Sequence, residues 1–147
     1  MASTKQYYLY TDGGARGNPG PAAAAYVLLD EQKKLVHSAG IYIGEATNNT
    51  AEYLGIQKGL EACVKLQLNN AYIICNLDSE LVIYQLKGVY KIKQRHLQEL
   101  ARSIVLIIKQ LNDLGVNISF QHIPRAHNKQ ADQLVNQVLD EQKSLSR

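Results

Sequence analysis

The chain has 147 residues, of which 46% are hydrophobic and 20% are charged, and its net charge is +3. This length and composition favour a single domain over residues 1–147 and exclude an intrinsically disordered protein. The longest apolar run, residues 104–108, is far shorter than the roughly 20 residues that cross a bilayer, so we expect no membrane association. The N-terminal residues, from Met1 on, lack the apolar stretch of a secretory signal, which predicts a cytoplasmic location.

The first half of the chain predicts three antiparallel strands and an amphipathic helix. Residues 7–11, 22–29 and 34–43 have extended patterns, and a glycine-rich segment that starts at Asp12 predicts a long turn after the first strand. Thr47 and the polar residues after it favour a helix start. The helix is indicated by apolar residues at three- and four-residue spacing, namely Tyr53, Ile56, Leu60 and Cys63.

The second half predicts two strands and three helices. Residues 71–77 form a short apolar run typical of a buried strand, and Ser79 can cap a short helix that ends near Gly88. A longer helix follows and stops at Gly115, where a left-handed residue is expected. Residues 116–123 alternate as a fifth strand, and Asn128 can cap the last helix. The predicted order is βββαβααβα.

Four acidic residues lie where this topology can bring them together. Asp12 ends strand 1 and Asp78 ends strand 4, so parallel pairing of these strands places both at one sheet edge. Glu52 and Asp132 lie in the first turns of their helices. Four close carboxylates repel one another unless cations separate them, and oxygen ligands without His or Cys favour Mg²⁺ or Mn²⁺. Two such ions can support phosphodiester hydrolysis.

Each acid also has an ordinary structural explanation. Asp12 begins an Asp-Gly-Gly turn sequence, and Asp78 precedes a helix-capping serine. Glu52 and Asp132 suit helix N-termini because of the helix dipole. The residues taken singly therefore leave both interpretations open.

Four segments taken together resemble the motifs of the type 1 ribonuclease H family. Residues 10–20, 48–53, 77–79 and 128–132 occur in the family's order and at similar spacing, and the match spans nearly the whole chain. The resemblance implies an α/β, ribonuclease H-like fold, with a five-stranded mixed sheet (three antiparallel strands, then two parallel) and helices on both faces. It also implies a monomeric endonuclease that cuts the RNA strand of RNA–DNA hybrids with two Mg²⁺ ions, leaving 3′-hydroxyl and 5′-phosphate ends.

The resemblance assigns roles to the four acids. Asp12 and Asp78 would be the central metal ligands, Glu52 would hold one metal and the surroundings of the attacking water, and Asp132 would complete the second metal site. Mn²⁺ is a possible substitute for Mg²⁺. The substrate-binding positions that match the family lie in the first two motifs. They are Gly13, Gly14, Asn18, Thr47, Asn48 and Asn49, with the asparagines matched to the RNA minor groove and Thr47 to a phosphate of the DNA strand.

The chain departs from some relatives in the loop before the last acid, in the basic protrusion and in the N-terminal module. Many have a mobile catalytic histidine in a longer loop before the last acid, whereas His127 is only five residues before Asp132. That role falls to His127, to Arg125 or to neither. A basic protrusion is replaced by a short segment, and no N-terminal hybrid-binding module is expected, so the resemblance is to a compact form of the family.

Three other functions compete with this interpretation. The first is a nuclease of the same fold with another nucleic-acid substrate, and the Asn-rich second motif argues against it. The second is a non-catalytic hybrid-binding module, which has no use for a repulsive acid cluster. The third is a sugar-kinase-like phosphate binder built on Asp12, Gly13 and Gly14, but such proteins need two related domains.

Overall fold

A computed structural model describes residues 4–145, and a five-stranded mixed sheet in the order β3-β2-β1-β4-β5 organises it. The predicted fold class and element order are therefore confirmed. The residues Met1 to Ser3, which contributed to the prediction of location, lie outside the described range. The elements are β1 Lys5–Ala15, β2 Gly20–Leu29, β3 Leu35–Ala46, α1 Asn48–Lys65, β4 Ala71–Leu77, α2 Glu80–Leu86, α3 Arg95–Asp113, β5 Val116–His122, a 3₁₀ turn Arg125–His127 and α4 Lys129–Leu145.

The central strand β1 has neighbours of opposite direction. It pairs antiparallel with β2 as far as Ala15, but its parallel pairing with β4 stops at Tyr10 and Asn76. The prediction that the first strand ends in a turn at Asp12 is wrong, because the antiparallel pairing continues for five residues beyond Tyr10. In its parallel pairing with β4, however, β1 is paired only as far as Tyr10, so Asp12 lies beyond the end of that pairing.

Helices cover both faces of the sheet. The strand β2 is rich in small residues and is buried on both faces. Its side chains point alternately to the two faces of the sheet, and helices cover both faces. Tyr26 and Leu28 belong to the larger core under α1 and α3, whereas Ala23 and Ala25 contact Val135 of α4 in a smaller core. The two cores hold the helices that carry Glu52 and Asp132 against the same sheet.

The helix boundaries follow local capping chemistry. The Thr47 hydroxyl accepts from the Thr50 amide at 3.2 Å, and the Ser79 hydroxyl accepts from the Val82 amide at 3.3 Å. Gly115 follows α3 with a φ of 78°, in the left-handed region where glycine is favoured. These three predicted ends are confirmed. Between residues 4 and 145, no helix combines the length and the apolar character of a membrane span.

Candidate active site

Three of the four predicted acids meet at one edge of the sheet. One carboxylate oxygen each of Asp12, Glu52 and Asp78 can be chosen so that all three lie within 4.8 Å of one another. The last parallel pair between β1 and β4 is Tyr10 with Asn76, so Asp12 and Asp78 are each two residues beyond it. The register of two parallel strands therefore sets the two aspartates side by side.

Glu52 reaches the aspartates because α1 touches β1 backbone to backbone. A Cβ atom on Gly13 would overlap the backbone of Ala51, and a Cβ on Gly55 would lie 2.6 Å from the carbonyl oxygen of Asp12. Only glycine permits such an approach. Glu52 lies in the second turn of α1, which begins at Asn48, and not in the first turn as predicted. The close contact brings it to Asp12 all the same.

Asp132 lines the same cleft but stands outside the triplet. It lies in the first turn of α4, as predicted, and its side chain is 35% exposed. Its carboxylate is 3.8 Å from the guanidinium of Arg125. The cleft has a volume of about 480 Å³, and its lining includes all four acids together with Gly13, Gly14, Arg16, Asn48 and Arg125.

The acid cluster is electrostatically unfavourable without a cation. Burial, followed by the negative charge of Asp78, raises the pKa of Asp12 to about 8. Burial is also the main cause that raises the pKa of Glu52 to about 7, although a hydrogen bond with Ser79 and the charge of Arg125 oppose it. Oxygen donors crowded in this way suit a small hard cation, so the residues fit a divalent metal site.

Asn128 contributes a contact that the sequence did not reveal. Asn128 does occupy the predicted cap position, because its backbone carbonyl accepts from the Asp132 amide, but its side chain does not cap α4, since Oδ1 has no hydrogen-bond partner among residues 4–145. Instead, its Nδ2 donates to the carbonyl oxygen of Thr11 at 2.8 Å and to Oδ2 of Asp78 at 3.3 Å. Asn128 is buried, with 1% of its surface exposed. A polar residue before a helix signals a cap, and nothing local distinguishes it from a bridge to distant strands.

Of the predicted substrate-binding asparagines, Asn48 lines the cleft and is hydrogen-bonded to Asn18. The Asn18 side-chain oxygen accepts from the Asn48 amide at 3.0 Å, and the Asn48 side-chain oxygen accepts from the Ala15 amide at 2.8 Å. Asn49 is half-buried in the first turn of α1, next to the capping residue Thr47. Their roles in binding stay predictions.

The two glycines of the first motif lie in different surroundings. Gly13 faces the backbone of α1, which gives it a packing role. A Cβ on Gly14 would be 3.7 Å from Val135, an ordinary contact that leaves room for a side chain. Both line the cleft, and their predicted part in substrate binding remains a prediction.

The two candidates for the histidine role differ in position. Both belong to the 3₁₀ turn Arg125–His127, which the sequence did not predict. Arg125 lines the cleft, whereas His127 is exposed and is not among the cleft-lining residues. This arrangement favours Arg125 as the residue of the turn that acts near the acids.

Comparisons with known proteins agree with this geometry. A protein-family model described as "Reverse transcriptase-like" matches residues 10–138. The chain is 38% identical over 130 residues to "Bifunctional protein Rv2228c" of Mycobacterium tuberculosis, covering 88% of this chain and 34% of that protein. It is 36% identical over 134 residues to "Ribonuclease HI" of Halobacterium salinarum, covering 91% and 64%. The chain thus spans about a third of the mycobacterial relative and less than two thirds of the archaeal one.

A solved structure gives the same result in three dimensions. LC11-RNase H1, which was isolated from compost, superposes with a TM-score of 0.86 at 41% identity, covering 92% of this chain and 97% of that one. That structure is described as a complex with an RNA/DNA hybrid. Sequence and fold are therefore similar over almost the full length of both chains.

Proposed function

This chain belongs to the ribonuclease H family, and from that premise we propose that it is an endonuclease which hydrolyses the RNA strand of RNA–DNA hybrids. The observation that carries the proposal is the convergence of Asp12, Glu52 and Asp78 within 4.8 Å in a cleft that also holds Asp132. The products would be 3′-hydroxyl and 5′-phosphate ends. A cluster of like charges destabilises a fold, so its presence in an open cleft favours a catalytic role.

The four acids would hold two Mg²⁺ ions, with Mn²⁺ as a possible substitute. Asp12 and Asp78 are the central ligands in this proposal, with Glu52 on one side and Asp132 on the other. When bound, such ions activate water as a nucleophile and neutralise charge that develops on the scissile phosphate. The raised pKa values of Asp12 and Glu52 support the proposal, because they reflect negative charge that the protein leaves without enough positive charge, and a bound cation would supply it.

The asparagines beside the cleft are suited to recognising the RNA strand. The side-chain oxygens of Asn18 and Asn48 are occupied by backbone amides, which fixes the orientation of both side chains. Their NH₂ groups have no protein partner between residues 4 and 145 and are available to donate. The minor groove offers acceptors on base edges and, in RNA, the 2′-hydroxyl. We therefore assign RNA recognition to Asn18 and Asn48, with Asn49 beside them.

The N-terminus of α1 is suited to a phosphate. Its first amides carry the positive end of the helix dipole, which attracts anions. Thr47 caps this end and also contacts the Thr50 hydroxyl at 3.0 Å. We assign a phosphate of the DNA strand to this end of the helix at Thr47, whose hydroxyl would turn from Thr50 to donate to it, while the RNA strand lies over the acids.

The decisive experiment compares substrates of one sequence. A labelled RNA–DNA hybrid, duplex DNA and duplex RNA are each incubated with the protein and Mg²⁺, and parallel reactions contain a chelator. We expect internal cuts only in the RNA strand of the hybrid, with 5′-phosphate products, and none with chelator. Equal cutting of duplex DNA, or cutting of the hybrid that survives chelation, would contradict the proposal.

A further inference from the structure

We propose that Asn128 is a positioning residue that holds the metal-binding acids in register, an inference that rests on the proposed function of the cleft. Its side chain is almost completely buried behind the acids. One amide group contacts two of the elements that carry them. It donates to the carbonyl oxygen of Thr11, the residue before Asp12, and to Oδ2 of Asp78.

The same residue is joined to the element that carries the fourth acid. The backbone carbonyl of Asn128 accepts from the amide of Asp132 at 3.1 Å in the first turn of α4. Asn128 therefore links the end of β4, the part of β1 next to Asp12, and the start of α4. The remaining acid, Glu52, is set by the glycine contacts between α1 and β1, without help from Asn128.

The carboxylate of Asp78 needs a hydrogen-bond donor beside it, because the neighbouring acids Asp12 and Glu52 repel it. Asp12 and Glu52 both lie on the side of Asp78 where a metal would bind, and like charges favour rotation of the Asp78 side chain away from them. A donor to an ionised carboxylate is stronger than one between neutral groups and favours a single rotamer. Asn128 places that donor at 3.3 Å from Oδ2.

The unpartnered oxygen of Asn128 argues against a purely stabilising role. Oδ1 is buried and accepts no hydrogen bond from residues 4–145. A buried acceptor without a donor destabilises the folded state. Asn128 therefore carries a cost to stability, and the hydrogen bond from its Nδ2 to Asp78 explains its presence better than a contribution to stability does.

The test separates positioning from stability with a matched pair of variants. Asn128→Ala removes the donor, and Val116→Ala removes buried atoms at the opposite end of the β4–β5 pair, where Val116 pairs with Ala71. Three quantities are measured for both variants and the wild type. They are the melting temperature, Mg²⁺ affinity by calorimetry without substrate, and kcat with KM on the hybrid.

We expect Asn128→Ala to lose roughly 10–100-fold in Mg²⁺ affinity or kcat, the usual effect of removing a partner of a metal ligand. Val116→Ala should lose stability while keeping both quantities near wild type. The inference is overturned if folded Asn128→Ala keeps wild-type Mg²⁺ affinity and kcat. It is equally overturned if the two variants lose activity in proportion to their loss of stability.

A second variant covers the case in which Asn128→Ala does not fold. Asn128→Leu keeps the approximate size of the side chain and adds no charge, but it has no N–H to donate to Thr11 or Asp78. At saturating Mg²⁺ its kcat should fall and its KM should change little, and a wild-type kcat overturns the inference. Calorimetry also separates the two proposals, because a wild type that binds Mg²⁺ without cutting hybrid refutes the proposed function alone.

Discussion

Two concave regions of the molecule are similar in size, but one contains paired polar groups and the other contains clustered negative charges. The acidic cleft measures about 480 Å³, and a groove between α1 and β3 measures about 360 Å³. In the groove, Glu61 pairs with Lys58 at 3.6 Å, and the Tyr26 hydroxyl hydrogen-bonds Nδ1 of His37 at 2.9 Å. The cleft instead gathers carboxylates that repel one another.

The comparison teaches that uncompensated charge identifies a site better than concavity does. In the groove, Glu61 has a cation beside it and Tyr26 and His37 are hydrogen-bonded to each other, so no cluster of like charges forms there. In the cleft, the pKa of Asp12 rises to about 8 because burial and Asp78 disfavour its charge. Such perturbed groups in an open cleft are typical of catalytic and metal-binding sites.

The largest expected effect compares one chemical change made in each region. Asp12→Asn removes a central acid, so kcat on the hybrid should fall by about 10³-fold or more, since a bound cation is worth several kcal/mol to the transition state. Glu61→Gln makes the same acid-to-amide change in the groove and should leave kcat within about twofold. Steady-state kinetics at saturating Mg²⁺ measure both. Comparable losses in the two variants would break the comparison.

The next effect concerns the contact that joins the cleft to α1. Gly13→Ala forces a Cβ into the backbone of Ala51, so the free energy of unfolding should fall by about 3 kcal/mol or more. Gly14→Ala places its Cβ at an ordinary 3.7 Å from Val135 and serves as the control, with a change below about 1 kcal/mol. Urea unfolding measures both. A Gly13→Ala variant as stable as Gly14→Ala would show that α1 can move away from β1 at little cost.

A smaller effect is the pH dependence of the metal-free protein. The pKa of Asp12 rises from 3.8 to about 8 and that of Glu52 from 4.5 to about 7, so the folded state binds their protons more tightly than the unfolded state. The resulting stability is present below pH 4 and is lost as the pH rises to about 8. Asp12→Asn should therefore become more stable relative to wild type as the pH rises. Each kcal/mol of that difference in the free energy of unfolding corresponds to roughly 2–4 °C in melting temperature.

Thermal melts across this pH range with chelator test the sign of that difference. Glu61→Gln should follow the wild-type curve, because Glu61 lies in the groove beside Lys58. Added Mg²⁺ should flatten the wild-type curve, since the ion replaces the protons. A wild type that gains stability relative to Asp12→Asn between pH 4 and about 8 would contradict the assigned pKa shifts.

The smallest effect distinguishes the two residues of the 3₁₀ turn. Arg125 lines the cleft as a cation 3.8 Å from the Asp132 carboxylate, where it can offset charge on the scissile phosphate, so Arg125→Ala should lower the rate at saturating Mg²⁺ by up to about tenfold. His127→Ala should have the lesser effect because His127 is exposed and does not line the cleft. Mg²⁺ titrations of the rate measure both. The reverse order would return the catalytic role to His127.

The sequence predicted the topology and the meeting of Asp12 with Asp78 for a clear physical reason. Both follow apolar segments that read as strands, and parallel strands place their carboxyl ends at one edge. The extension of β1 to Ala15 was missed because its glycines resemble turn residues, whereas its pairing with the alanines of β2 is decided by the sheet. Local patterns determine elements well, but they do not determine where an element's pairing ends.

The contacts of Asn128 and Arg125 could not be predicted for a different reason. Asn128 binds Thr11 and Asp78, which are distant in the chain, so no local pattern records the hydrogen bonds. The position of Arg125 depends on a short turn whose conformation is set by its surroundings. The predicted site was therefore a set of acids, and the structure adds the neutral and basic groups that support them.

The direct backbone contact between α1 and β1 affects how this protein responds to substitutions in its core. Since main-chain atoms touch at Gly13 and Gly55, no side chain acts as a spacer between the strand bearing Asp12 and the helix bearing Glu52. Replacing apolar residues elsewhere alters how firmly the two elements are pressed together, but it cannot bring them nearer. Substitutions in the core can therefore lower or raise the stability of the protein, while the distance between the carboxylates of Asp12 and Glu52 stays the same.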